Sequence, residues 1–118
     1  MDRDRMHAVV NAWARAVAGN DAAALEAMVA PALREGVVQR ARAVHGAFRD
    51  VAVDPVAIVV EGDAVAWRFR LRGRHVAALG GIAATERNVV LEGVNFQQVR
   101  DGIVVEHWTT VDLGPLRA

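Results

Sequence analysis

Val89-Val-Leu-Glu-Gly-Val-Asn-Phe-Gln-Gln-Val-Arg-Asp-Gly-Ile-Val-Val-Glu-His-Trp-Thr-Thr-Val-Asp112 reads as a β-hairpin whose second strand ends in a dense cluster of polar and aromatic side chains. Asp101-Gly102 sits between two apolar-rich runs, and a tight primed turn needs residues that tolerate positive φ. Strand alternation places Asn95, Gln97 and Val99 on one face and Phe96 and Gln98 on the other. It likewise separates His107, Thr109 and Val111 from Glu106, Trp108, Thr110 and Asp112. A strand with this much hydrogen-bonding chemistry lines a site or lies on an exposed sheet face.

Upstream of the hairpin the pattern is first helical, then extended. Met6, Val9, Val10, Trp13 and Val17 follow helical spacing, with Gly19 placed to stop the helix. Asp21 is a suitable N-cap for a short second helix, which Pro31 ends. Val37, Val38, Ala41, Val44, His45 and Phe48 mark an apolar stripe on a third helix from about Glu35 to Arg49. From Val51 to Val60 a strand is interrupted by Pro55, which predicts an edge position or a bulge. Glu61-Gly62-Asp63 turns into a strand from Ala64 to His75, where Trp67, Phe69 and Leu71 alternate with Arg68, Arg70 and Arg72. A loop covers Gly80 to Arg87, and the hairpin strands are expected at Asn88 to Arg100 and Ile103 to Leu113. Three helices followed by an antiparallel meander predict an α+β fold in which helices pack on one face of a curved sheet.

At 118 residues the chain is long enough for one core but not two, so a single domain over 1–118 is expected. A composition 53% hydrophobic and 24% charged describes a globular protein, and a net charge of zero leaves no electrostatic footprint for nucleic acid or an anionic membrane. Without cysteine there are no disulfides, thiolate chemistry or Cys-based metal sites. The charged start of the chain lacks a signal-peptide core, and no stretch approaches the roughly 20 apolar residues of a membrane span. The cytoplasm is the expected compartment.

The hairpin resembles the closing hairpin of the SnoaL-like polyketide cyclases, within the nuclear transport factor 2-like superfamily. That family reads roughly Asp-Gly-Lys-Ile-x-Glu-x-Trp-Asp-x-x-Asp there, followed by a Leu-rich tail. Gly73-Arg-His-Val-Ala-Ala-Leu-Gly-Gly-Ile-Ala-Ala-Thr85 is similar to its Gly-x-His-x-Gly-x-x-x-Gly-Ile-Pro-Pro-Thr segment, with alanines in place of both prolines. The likeness is strongest from Glu61 to Leu116. It implies a cone-shaped barrel of curved antiparallel sheet on three N-terminal helices, a homodimer, and a cofactor-free reaction on an apolar polycyclic or polyketide-like ligand. The stretch from Pro31 to Val37 is shorter than the family's, which implies a more open pocket or one completed by a neighbouring subunit. In these cyclases the aspartate after the tryptophan acts as acid/base, helped by a histidine on the preceding strand. The matching positions here are Thr109 and Asn95. Threonine does not exchange a proton near neutral pH and asparagine does not at all, but both position a carbonyl or hydroxyl.

His107 is then the expected acid/base group, since an unperturbed imidazole titrates near 6.5; its competing reading is a structural histidine near a strand end. Asp112 is a secondary catalytic candidate, reachable if the strand end reverses its facing. His45, on the stripe of the third helix, is expected to pack in the core, and becomes a third catalytic candidate if that helix lids a cavity. Asn95, Thr109 and Gln97 are candidate ligand-binding groups, and Trp13, Trp67 and Phe69 form either core or an aromatic cavity wall. His75 is expected to fix its loop and His7 to be exposed. The histidines are too dispersed for a metal site, so none is expected. Glu106 and Asp112 are expected to pair with the arginine row on a neighbouring strand. The functional expectation is cyclisation or isomerisation of a polyketide-like or terpenoid intermediate in bacterial secondary metabolism. The alternatives are an epoxide-opening cyclase or hydrolase and a non-catalytic binding or dimerisation domain.

Overall fold

A computed structural model describes residues 2–117; Met1 and Ala118, the ends of the expected 1–118 domain, lie outside the described residues. Helix α1 (Arg3–Ala18) starts where the Asp2 side chain accepts a hydrogen bond from the Arg5 amide at 2.8 Å, and it ends at Gly19. Its inward face carries Met6, Val10 and Trp13, all buried. Helix α2 (Ala22–Met28) is capped by Asp21, as its sequence predicts, through a 3.0 Å bond from the Ala24 amide. A 3-10 turn at Pro31–Leu33 leads directly into α3 (Arg34–Ala47).

The boundary after α3 differs from the sequence expectation. Phe48 opens strand β1 (Phe48–Glu61) with extended backbone, φ −126° and ψ 149°, and lies buried. Its place on the apolar stripe of α3 made it look helical, because helix and sheet turn their apolar residues toward the same core. Strand pairing decides the point. The other strands are β2 (Ala64–His75), β3 (Asn88–Arg100) and β4 (Ile103–Val111), in the order β1-β2-β3-β4, all antiparallel. Strand β1 is an edge and shifts register between Arg49 and Ala52 and again between Pro55 and Ala57. An extra residue bends a strand and increases its twist, so these bulges curve the sheet. Pro55 sits where a missing N–H is tolerated. Asp101 and Gly102 have φ of 52° and 78°, the paired left-handed conformations that the turn between β3 and β4 requires.

Alternation along β2 and β3 is strict: Trp67, Phe69, Leu71, Leu91 and Asn95 face the helices and are buried, while Arg68, Arg70, Arg72, Glu92 and Phe96 face outward. The arginine row pairs differently from expectation. Arg70 bonds Glu92 at 2.7 Å and Arg72 bonds Asp54 at 2.8 Å, with Arg74 and Glu86 at 3.8 Å. Strand β3 lies between β2 and β4, so β1, β3 and the loop before β3 supply the carboxylates, and Glu106 and Asp112 do not. Glu106 instead accepts a 2.6 Å bond from the Trp108 indole.

Strand β4 ends two residues earlier than expected, and a short helix α4 (Gly114–Arg117) follows, with Leu116 buried. His75 is wholly buried, and its Nδ1 accepts from the Thr85 amide at 3.1 Å, which fixes the following loop as expected. His7 is half-buried rather than exposed. Among the described residues no helix is long and apolar enough to cross a membrane.

Candidate active site

Between α1, α3 and the concave face of the sheet lies a cavity of about 320 Å³. Trp13 comes from α1, Val37, Arg40, Ala41 and Val44 from α3, and Trp67, Phe69, Leu71 and Leu91 from β2 and β3. Leu79, Gly80 and Leu113 complete the wall, and the exposed Arg40, Ala43 and Gly80 mark its open side. The aromatic lining follows from β2, where every second residue is large and apolar; the Trp67 and Phe69 rings stand 5.6 Å apart.

The polar groups form two successive inward-facing rungs of the β3–β4 ladder, Asn95 opposite Thr109 and Gln97 opposite His107, with the outward-facing Phe96 and Trp108 between them. Asn95, Thr109 and His107 line the cavity. Gln97 stands behind His107, fully buried, with its Oε1 accepting a 3.0 Å bond from Trp67 Nε1 and its Nε2 3.2 Å from His107 Nδ1. The His107 ring packs against Trp13 at 4.7 Å. Burial first, and the Arg40 guanidinium second, push its pKa down to about 4. At neutral pH the imidazole is therefore uncharged, and it is a far weaker base than an unperturbed histidine. Asn95 Oδ1 is buried with no protein partner. A buried carbonyl without a donor costs free energy.

Two catalytic candidates lie elsewhere. Asp112 is exposed, outside the cavity wall, and its Oδ1 accepts from the Gly114 amide at 2.8 Å to start α4. The strand end does not reverse; it breaks into a turn. His45 joins α3 to α1 by a 2.7 Å bond from Nε2 to the Val17 carbonyl and does not line the cavity. It is half-buried rather than packed in the core, because its position on the helix turns it toward α1 instead of the sheet. Arg40 is a cavity-lining residue that sequence reasoning missed. Its spacing from Val37 and Val44 places it on the cavity side of α3, a signal hidden by its charge. Among the described residues no carboxylate lines the cavity, and no three His, Asp or Glu side chains converge as metal ligands.

Four curved antiparallel strands on helices, with one pocket-bearing concave face, define the nuclear transport factor 2-like, or ketosteroid isomerase-like, class of α+β cones. The chain belongs to the SnoaL-like polyketide cyclase family, whose family model matches residues 1–118. Among solved structures it is similar to TsrD of Streptomyces laurentii, with TM-score 0.87, 24% identity, and coverage of 99% of this chain and 95% of that one. It is also similar to IdmH of Streptomyces antibioticus, provisionally assigned as a polyketide cyclase, with TM-score 0.81, 26% identity and 94% of each chain covered. AclR of Streptomyces galilaeus, provisionally assigned as a hydroxylase, matches with TM-score 0.83 and 24% identity over 96% of this chain and 81% of that one. A comparison with the curated proteins returned no match.

Proposed function

We propose that the protein is a cofactor-free enzyme of bacterial secondary metabolism that cyclises or isomerises a polyketide-like or terpenoid intermediate inside this cavity. The observation that carries the reading is the pairing of an apolar aromatic pocket with one convergent polar patch, His107, Asn95 and Thr109, on two successive inward-facing rungs. Trp13, Trp67 and Phe69 would hold a flat substrate, and Asn95 and Thr109 would orient its oxygens. His107 would engage the carbonyl whose oxygen gains charge. In such an aldol-type closure the carbon acid gives up a proton to solvent at the open side of the cavity and forms a bond to the carbonyl carbon. The π pair moves to oxygen, which takes up a proton in turn. Substrate and product are isomers, so no oxidant or reductant is required, and much of the rate would come from positioning. The family membership and the likeness to IdmH support this class of reaction.

Product analysis with the purified protein and polyketide-derived β-dicarbonyl substrates is expected to yield an isomeric cyclised product without added cofactor. Binding without turnover across such substrates would favour a non-catalytic carrier. Epoxide opening is less well supported, because among the described residues no carboxylate reaches the cavity to attack or to activate water.

We also propose that two copies pack through the outer face of the sheet. Val59, Ala66, Phe96 and Trp108 form one apolar rung across all four strands, with Val59 67% and Trp108 65% exposed. Such a surface is costly in water and suits a self-complementary two-fold contact. Sedimentation at micromolar concentration is expected to give a dimer, and Trp108→Arg a monomer. A wild-type monomer would overturn the assignment.

A further inference from the structure

We propose that Gln97 is a positioning residue that holds His107 as the neutral Nε2–H tautomer, so that His107 meets its ligand as a hydrogen-bond donor and not as a base. The inference deepens the proposed function and rests on it only for the identity of the ligand. An indole N–H can only donate, so the Gln97 atom 3.0 Å from Trp67 Nε1 is the amide oxygen. The amide nitrogen is thereby turned toward His107 Nδ1, at 3.2 Å. An amide NH₂ also can only donate. Nδ1 must present its lone pair, and the single proton of the neutral ring resides on Nε2. Gln97 is fully buried, so water does not compete for either end of the amide.

The same chain of bonds opposes protonation, because an imidazolium would set Nδ1–H against the amide N–H. The groups around the ring act in the same direction. From α1 it meets the Trp13 face, and from β3 the neutral Gln97, with Asn95 one inward-facing rung away. Thr109 follows on its own strand, and the charged residue acting on it is Arg40 of α3. A positive neighbour and a desolvated site both disfavour a second positive charge. Among the described residues the hydrogen bond of the His107 ring runs through Nδ1, and the ring lines the cavity, which leaves the Nε2–H for a ligand. The wall then offers a donor at His107, with Asn95 and Thr109 lining the cavity beside it. A carbonyl oxygen accepts from that donor, so the ligand class is a ketone or a dicarbonyl. A neutral imidazole that donates to a developing oxyanion is an effective electrophile.

The tautomer is read directly by ¹⁵N–¹H correlation spectroscopy of the full chain with ¹⁵N-labelled histidine, free of ligand. At pH 7 His107 is expected to carry its proton on Nε2 alone, with a titration midpoint at about 4. In Gln97→Glu a carboxylate accepts from both Trp67 and His107, so the proton should move to Nδ1 and the midpoint rise by about one to three pH units. If that buried carboxylate prevents folding, Trp67→Phe serves in its place. It frees the amide to turn over, and a mixture of both tautomers is expected. A proton on Nδ1 or a mixture in the wild-type protein, or a wild-type midpoint near about 6.5, would overturn the inference. So would an unchanged tautomer in whichever variant folds. Failure of the functional reading appears separately, as absence of product in the turnover assay.

Discussion

Trp67→Ala is expected to cost the fold about 3–5 kcal/mol, the range for removing a large aromatic side chain from a packed core. Trp67 is 1% exposed, packs on Phe69, and supplies the only proton that Gln97 Oε1 receives in the described structure. Truncation therefore removes apolar packing and orphans a buried acceptor at once. A domain of this size holds about 5–15 kcal/mol in all, so the variant should sit close to its unfolding threshold at room temperature. Urea titration measures this as a large drop in midpoint with little change in slope. Trp67→Phe should lose much less, about 1–3 kcal/mol, because it keeps most of the ring and gives up mainly the hydrogen bond. A cost below about 1 kcal/mol for Trp67→Ala would mean that the ring is not a load on the core.

His107→Ala should lower turnover by about 100- to 1,000-fold, the usual loss when one hydrogen-bond donor to a developing oxyanion is removed. The wild-type rate should be flat in pH from about 6 to 8 as far as His107 is concerned, since its pKa is about 4. A rate that rose through about 6.5 would identify it as a general base. The same depressed pKa has a consequence for stability. An unfolded histidine binds a proton near about 6.5, whereas folded His107 binds one only near about 4. Between those values the unfolded state holds more protons, so the contribution is fully present above the upper one and is lost as pH falls toward the lower. The loss is on the order of 2–3 kcal/mol. His107→Ala should flatten the stability profile across that window, whatever its absolute stability. An unaltered profile would show that other groups carry the acid sensitivity.

Much of this architecture is legible from local residues. Asp101-Gly102 specifies its turn because both residues adopt positive φ, and Asp21 specifies the start of α2 through one capping bond. The parity within β3 and within β4 follows from alternation alone, but Asn95 and Gln97 share a face with His107 and Thr109 only because the pairing shifts register between Gln98 and Val99, which the sequence did not show. Pro55 announced an irregular edge strand for an equally local reason, its missing N–H.

Reach across the fold was not legible. Nothing near Asp112 in sequence shows that its carboxylate turns back to the Gly114 amide and misses the cavity, or that His45 bonds the Val17 carbonyl on another helix. The arginines of β2 were matched with the wrong carboxylates because charge pattern does not carry strand order. The amino-acid sequence by itself determined the elements and their faces, since these depend on turn chemistry and on periods of two and 3.6 residues, and the family through the resemblance of its closing hairpin. Only the tertiary structure decided what His107 is. Its protonation and its tautomer depend on Trp67 and Arg40, distant in sequence, on a buried amide between two strands, and on exclusion from water. Those properties arise only when the sheet closes over the helices.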